Sequence, residues 1–265
     1  MIKVKFYSLI QRVLFIQVLI VAISSCGQGR PQAETKNAPV NRIESVEQNL
    51  KPKEAWPRRG QIREYFTEYG AENTEFKVKL KTRLGDIIIE LYEDTPLHKA
   101  NFIHHIKRGL YERTIFYRVI PNFIIQGGNS DNDETTLRRD GVESYYIPSE
   151  LKPDYIHKRG AVAMAMNYHN NPENKSSQYD FYIVIGKTFN DAEMDATEAE
   201  YGNSHTERSR EVYRTIGGTP HLDGKHTVFG RVIEGIEIVE AIADVKKDSG
   251  DWPKTDVIID YEILQ

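Results

Sequence analysis

The stretch Phe116-Tyr-Arg-Val-Ile-Pro-Asn-Phe-Ile-Ile-Gln-Gly-Gly128 places Arg118 in a run dominated by Phe116, Val119, Ile120, Phe123 and Ile124. Runs of this kind mark buried strands, and a guanidinium among them is costly unless it is hydrogen-bonded or put to use. Gln126 lies in the same run, and its amide oxygen is suited to accept from the guanidinium. The stretch reads as an apolar wall holding one oriented cation. A buried arginine can equally be a structural ion-pair partner, so the surrounding chain has to decide between the two.

On either side the dominant period is two. Phe76-Lys-Val-Lys-Leu-Lys81 alternates apolar with basic residues, and Asp86-Ile-Ile-Ile-Glu-Leu-Tyr92 follows a turn at Leu84-Gly85, which predicts a hairpin. Thr95-Pro96 opens a helix, with Thr95 as N-cap and Pro96 at the first helical position. Further short strands are predicted over 114–120, 123–126, 161–166, 181–185 and 227–232, a second helix over 236–245, and a last strand over 257–264. Many short strands with two good helices predict a mainly β fold: a closed eight-stranded antiparallel barrel capped by two α-helices. Bulky Ile, Val, Leu and Phe at the strand positions would fill such a barrel, which argues against a lipocalin-like carrier.

With Pro220-His-Leu-Asp-Gly-Lys-His-Thr-Val-Phe-Gly-Arg231, the opening stretch and the order of elements resemble a cyclophilin-type peptidyl-prolyl cis-trans isomerase over nearly all of residues 76–264. The resemblance implies a cyclophilin-like barrel that isomerises Xaa–Pro bonds without a cofactor or metal. It implies that Arg118 is the catalytic arginine and that Gln126 orients it. Phe123, Ile124, Tyr182, Leu222 and His226 would line a proline pocket, with Ala165 beside the peptide groove. His221 takes the position where many members carry a tryptophan associated with tight cyclosporin binding, so weak affinity for that drug is expected.

One departure touches the groove. The family usually reads Ser-Gln-Phe-Phe-Ile, whereas this chain reads Ser177-Gln-Tyr-Asp-Phe-Tyr-Ile183. Either Gln178 serves from two residues earlier, or the Asp180 carboxylate lines the groove and pairs with Arg118. Two functions follow: an isomerase, or a chaperone or assembly factor that binds proline-containing segments with little turnover.

Other residues read more plainly. His98, His104 and His105 are expected to be exposed polar residues rather than metal ligands, and Asp131-Asn-Asp-Glu134 a solvated loop lacking the glycine and glutamate of a calcium site. With 35 basic and 39 acidic residues, a net charge of −4 and no basic stripe, nothing suggests a nucleic-acid partner. Residues 189–216, rich in Glu, Asp, Ala and Arg, form an insertion longer than a tight connection, with helical turns predicted over 192–199 and 207–213.

The first residues read as an address. Lys3, Lys5 and Arg12 precede an apolar stretch over 13–23, too short to span a bilayer but suited to a signal peptide. It ends in Ile23-Ser-Ser-Cys-Gly27, which resembles the lipobox of bacterial lipoproteins. Residues 1–25 are therefore expected to be a lipoprotein signal peptide, with Cys26 the lipidated first residue of the mature chain. Cys26 is the single cysteine, so no intramolecular disulfide forms. Residues 26–71, with Pro31, Pro39, Pro52 and Pro57, read as a tether from which Trp56 and Tyr65-Phe66 dock on the domain or lie in a short helix. Residues 72–265 are the isomerase-like domain. The expected setting is the bacterial envelope, on the outer membrane facing the periplasm. The expected partners of this monomer are proline-containing, unfolded or partly folded proteins, together with the membrane holding its lipid.

Overall fold

The computed structural model describes residues 56–265, so the expected signal peptide, Cys26 and most of the expected tether lie outside the described residues. Eight strands close into an antiparallel barrel: β1 (Lys77–Thr82), β2 (Gly85–Leu91), β3 (Thr114–Ile120), β4 (Ile124–Asn129), β5 (Ala161–Met164), β6 (Phe181–Val184), β7 (Val228–Glu234) and β8 (Ile258–Ile263). Their order around the barrel is β1-β2-β7-β5-β6-β4-β3-β8. Closure pairs every strand on both sides and leaves no free sheet edge. The helices are α1 (Ile62–Glu72), α2 (Pro96–Lys107), α3 (Asp133–Arg138), α4 (Asp191–Tyr201), α5 (Glu207–Thr215) and α6 (Ile236–Ala243).

The predicted hairpin is β1–β2. Its alternation sends Val78 and Leu80 inward opposite Ile89 and Ile87. Gly85 starts β2 at φ 137°, and a Cβ there would meet the Ile238 side chain of α6 at 2.6 Å, so only glycine fits. α2 starts at Pro96 as expected, but Thr95 does not cap it. The Thr95 hydroxyl donates to the Tyr92 carbonyl, and the Glu150 carboxylate accepts from the free Leu97 and His98 N–H groups at 3.0 Å each. A carboxylate suits a helix N-terminus better than a hydroxyl, because it also meets the positive end of the dipole.

β5 and β6 are buried along their whole length, which means both faces are covered. Val162, Met164, Phe181 and Ile183 join Leu80, Ile89, Phe116, Val119, Ile125 and Phe229 in the central core, with Leu97, Phe102 and Ile103 of α2 and Val239 and Ile242 of α6. These side chains fill the barrel, leaving no interior suited to a carried ligand. Ala161, Ala163, Tyr182 and Val184 point the other way and form a second cluster with Ile124, Leu222 and Val228.

Two sequence expectations are corrected here, the exposed histidines and the loop at 131–134. His98, His104 and His105 are buried, not exposed. His98 lies 2.6 Å from a Glu150 carboxylate oxygen and 2.9 Å from the Ser176 hydroxyl. His104 is ringed by Trp56, Tyr65, Phe66 and Tyr69 and hydrogen-bonded to the Tyr65 hydroxyl at 3.1 Å. Through these contacts α1, which carries Tyr65 and Phe66, docks on α2 with Phe66 fully buried, so Trp56, Tyr65 and Phe66 dock on the domain as expected. Finally, the stretch read as a loop at 131–134 runs into α3, where the Asn132 side chain caps by accepting from the Thr135 N–H.

Burial lowers the pKa of His104 to about 3 and that of His105 well below its ordinary value. Both rings are neutral in the fold, whereas in the unfolded chain they take up protons near pH 6.5. The unfolded state therefore gains protons first, and stability falls as the pH drops below about 6.5. Urea denaturation at pH 7, 6 and 5 is expected to show this fall and a shallower one in His104→Phe; a flat profile contradicts it.

Candidate active site

The site lies on the outer face of the barrel, where β3, β4, β6 and β5 stand side by side. Strand alternation alone would turn Tyr117 and Arg118 to opposite faces. Instead, the pairing shifts between Phe116, opposite Gly127, and Arg118, opposite Gln126. This bulge sets an extra residue in β3, so Phe116 and Val119 stay inside while Tyr117 and Arg118 are both half-exposed. Successive register partners then form one row: Arg118 on β3, Gln126 on β4, Tyr182 on β6, Ala163 on β5 and Val228 on β7.

Arg118 holds its guanidinium carbon 5.9 Å from the centre of the Phe123 ring. Among the described residues, no ion pair engages this guanidinium. The expected bond from Gln126 is not made either: the Gln126 amide N–H donates to the Tyr117 hydroxyl, which in turn donates to Asp180 Oδ1 at 3.1 Å. The other Asp180 oxygen accepts from the Ser177 hydroxyl at 2.7 Å. Burial, and then the Asp180 charge, push the Tyr117 phenol up, so it remains a donor. Asp180 and Gln178 take different partners. Gln178 is 5% exposed and engaged away from the groove, accepting from the Tyr145 N–H and donating to the Tyr179 hydroxyl. Asp180 is the residue beside the groove, held by Tyr117 rather than by Arg118.

The apolar residues expected at the site do converge. Ile124, Tyr182 and Leu222 are buried in one cluster, against which Phe123 and Ala165 pack. His221 stacks on Phe123 at 5.5 Å, and the His226 ring stands edge-on to Tyr182 at 5.5 Å. His226 Nδ1 lies 3.3 Å from the Met164 carbonyl and so carries the proton, leaving Nε2 to accept from the Tyr168 hydroxyl at 2.6 Å. Burial, with His157 nearby, lowers its pKa to about 4. A neutral imidazole with both nitrogens engaged is a hydrogen-bonded wall, not a proton donor.

Several residues here carry no reading from the sequence. Tyr117 is hidden by the bulge, since alternation hands only one of two neighbours to the groove. Exposed Tyr168 and Tyr201 come from irregular or inserted segments and leave no periodic trace; Tyr201 lies 5.1 Å from His221. Asp223 sits inside the Pro220–Arg231 motif, between Leu222 and His226, so its position was the available signal.

A sequence model of the family described as "Cyclophilin type peptidyl-prolyl cis-trans isomerase/CLD" matches residues 77–262. The peptidyl-prolyl cis-trans isomerase ppi1 of Schizosaccharomyces pombe is 35% identical over 179 residues, 66% of this chain and 90% of that protein. A Streptococcus pyogenes protein provisionally named a bifunctional phosphatase/peptidyl-prolyl cis-trans isomerase is 36% identical over 199 residues; the match covers 74% of this chain but 40% of that longer one. The crystal structure of a cyclophilin-type isomerase from Cryptosporidium parvum superposes with a TM-score of 0.50 at 25% identity, covering 72% of this chain and 98% of that one. With a closed barrel of eight antiparallel strands and a family match spanning most of its length, the chain belongs to the cyclophilin-type peptidyl-prolyl cis-trans isomerases.

Proposed function

We propose that the outer groove isomerises Xaa–Pro bonds in proteins of the bacterial envelope and that Arg118 is its catalytic residue. The observation that carries this reading is a guanidinium that no ion pair engages among the described residues, set beside the Phe123 ring where it packs on the apolar cluster of Ile124, Tyr182 and Leu222. Rotation about a prolyl peptide bond meets a barrier of about 18–20 kcal/mol, because resonance is lost on the way. As it is lost, the lone pair localises on the prolyl nitrogen, and a donor aimed there favours the twisted state over both planar ones. Phe123, Ile124, Tyr182 and Leu222 hold the pyrrolidine ring, and Gln126 and Ala165 border the peptide. The chemistry needs no covalent intermediate and no proton transfer.

Magnitudes limit what Arg118 does alone. A 10⁴-fold acceleration requires about 5.5 kcal/mol, whereas one charge-assisted hydrogen bond contributes about 1.5–3 kcal/mol. The remainder comes from a water-poor, preorganised wall that grips the flanking peptide. The competing reading is a proline-peptide-binding chaperone with weak turnover. It requires Asp180 to occupy Arg118, and the bond from Tyr117 to Asp180 favours the isomerase instead. The envelope setting rests on the leader and lipobox-like segment ending at Cys26.

In a protease-coupled assay on a proline peptide, Arg118→Ala is expected to lower kcat/KM by about 10- to 150-fold, the equivalent of that one bond. Unchanged turnover excludes the role. Tyr117→Phe removes the donor that holds Asp180 and leaves the carboxylate to Arg118, so turnover falls, and adding Asp180→Asn restores it. If Tyr117→Phe matches wild type, the proposed hold on Asp180 is wrong. Finally, Cys26→Ser is expected to move the protein from the membrane to the soluble fraction of an expressing bacterium. Retention on the membrane counts against the lipid anchor.

A further inference from the structure

The 189–216 insertion reaches under the pocket wall. It opens with a capping box, in which the Asn190 side chain accepts from the Glu193 N–H and the Glu193 carboxylate accepts from the Asn190 N–H. It is thus built of well-formed helices, α4 and α5. From α5, the buried Tyr213 donates its hydroxyl proton to Asp223 Oδ2 at 2.5 Å. From the α4–α5 connection, His205 Nε2 approaches the same oxygen at 3.2 Å. The second oxygen, Oδ1, accepts from the His157 backbone N–H at 2.8 Å and from His157 Nδ1 at 2.7 Å. With Nδ1 donating, His157 Nε2 lies 3.0 Å from the Tyr182 hydroxyl. Asp223 follows Leu222 directly and stands two residues after His221, so the carboxylate also pins the turn that carries both.

We propose that the insertion is a positioning element for the proline pocket: His205 and Tyr213 fix the Asp223 carboxylate, which through His157 fixes the Tyr182 ring and the 220–226 turn. This rests on the reading of the groove as a proline-binding site. A surface excursion would need only apolar contacts to stay folded. It would not need to aim two polar donors at one half-buried carboxylate behind Tyr182 and Leu222. Tyr201 adds a second link, leaning on His221 at 5.1 Å while His221 stacks on Phe123.

His205 makes the link sensitive to pH. Its Nδ1 lies 3.0 Å from Glu198 of α4, and its Nε2 faces Asp223. Arg210 of α5 bridges Glu198 and Asp195 at 2.5 and 2.7 Å, and the Tyr213 ring stands 5.5 Å away. Lys152 and His226 share with His205 the lining of a cavity of about 400 Å³. Both His205 nitrogens face carboxylates, and both donate only in the imidazolium form. Burial lowers the His205 pKa, but the bonds to Asp223 and Glu198 outweigh it and raise the pKa overall. As pH rises through that raised value the ring keeps one N–H, and one of the two bonds is lost.

The test uses the full chain with Tyr213→Phe, His205→Leu and His205→Gln, each checked for folding by circular dichroism. Steady-state isomerisation and calorimetric affinity for an Ala-Pro-containing peptide are then measured from pH 5.5 to 8.5. Tyr213→Phe and His205→Leu are expected to raise KM and weaken peptide affinity about 3- to 10-fold with a smaller change in kcat. In wild type, kcat/KM should decline as pH rises through the His205 pKa, which lies above the ordinary value of about 6.5. His205→Gln, which keeps one donor, should lie between wild type and His205→Leu and lose that decline. Folded variants with wild-type KM, affinity and pH profile overturn the proposal. Should His205→Leu not fold, Tyr213→Phe decides, since it removes a single oxygen atom. If wild type binds the peptide without turning it over, the isomerase reading falls, and the affinities alone decide the positioning role.

Discussion

Because side chains from eight strands and two helices fill the interior of the barrel, polar chemistry is confined to its outer face. That constraint organises the rest of the molecule. Strand alternation divides β4, β5 and β6 into inward residues such as Ile125, Val162 and Ile183 and outward ones such as Ile124, Ala163 and Tyr182. The outward set needs a cover of its own, and the 220–226 turn supplies it with Leu222. Turn and sheet thus share one apolar cluster, and the bulge in β3 places half-exposed Arg118 beside Phe123, which packs on it. A rigid wall matters for this chemistry, since a non-covalent catalyst gains only from groups already in place when the peptide bond twists.

The electrostatics of the groove depend on one phenol. Asp180 and Arg118 carry opposite charges on the same face, and a direct pair between them would occupy the guanidinium. Tyr117 takes the carboxylate instead, donating to Asp180 and accepting from Gln126. Because burial keeps the phenol protonated, the carboxylate has a partner other than the arginine. The neutral state of His226 fits the same arrangement: with its Nε2 taken by Tyr168, it adds no competing charge.

The barrel was legible because a period of two is hard to mistake in Phe76–Lys81, and because Gly85 and Pro96 punctuate the chain where the backbone requires them. Of the residues that pack in one apolar cluster, Phe123, Ile124 and Leu222 stand in the two contiguous motifs, while Tyr182 and Ala165 come from a third stretch. The histidines of α2 were misread since the aromatic ring around His104 comes from α1 and residue 56, which no local pattern connects to it. α1 itself offers only Ile62 and Phe66 as buried residues, and its docking is a tertiary event. For Asp180, spacing alone left two options, because the partners that tell them apart, Tyr117 on β3 for Asp180 and Tyr145 and Tyr179 for Gln178, are set by the fold and not by sequence spacing.

The central claim is that Arg118 acts on the twisting bond and not on binding. Exchange spectroscopy at equilibrium, on a proline peptide labelled in both isomers, reads the two separately with no coupling protease. The account predicts rapid cis–trans exchange with wild-type protein, and with Arg118→Ala a large loss of exchange while the peptide still binds. Exchange of equal rate in both proteins, or wild-type binding with no exchange at all, would contradict it.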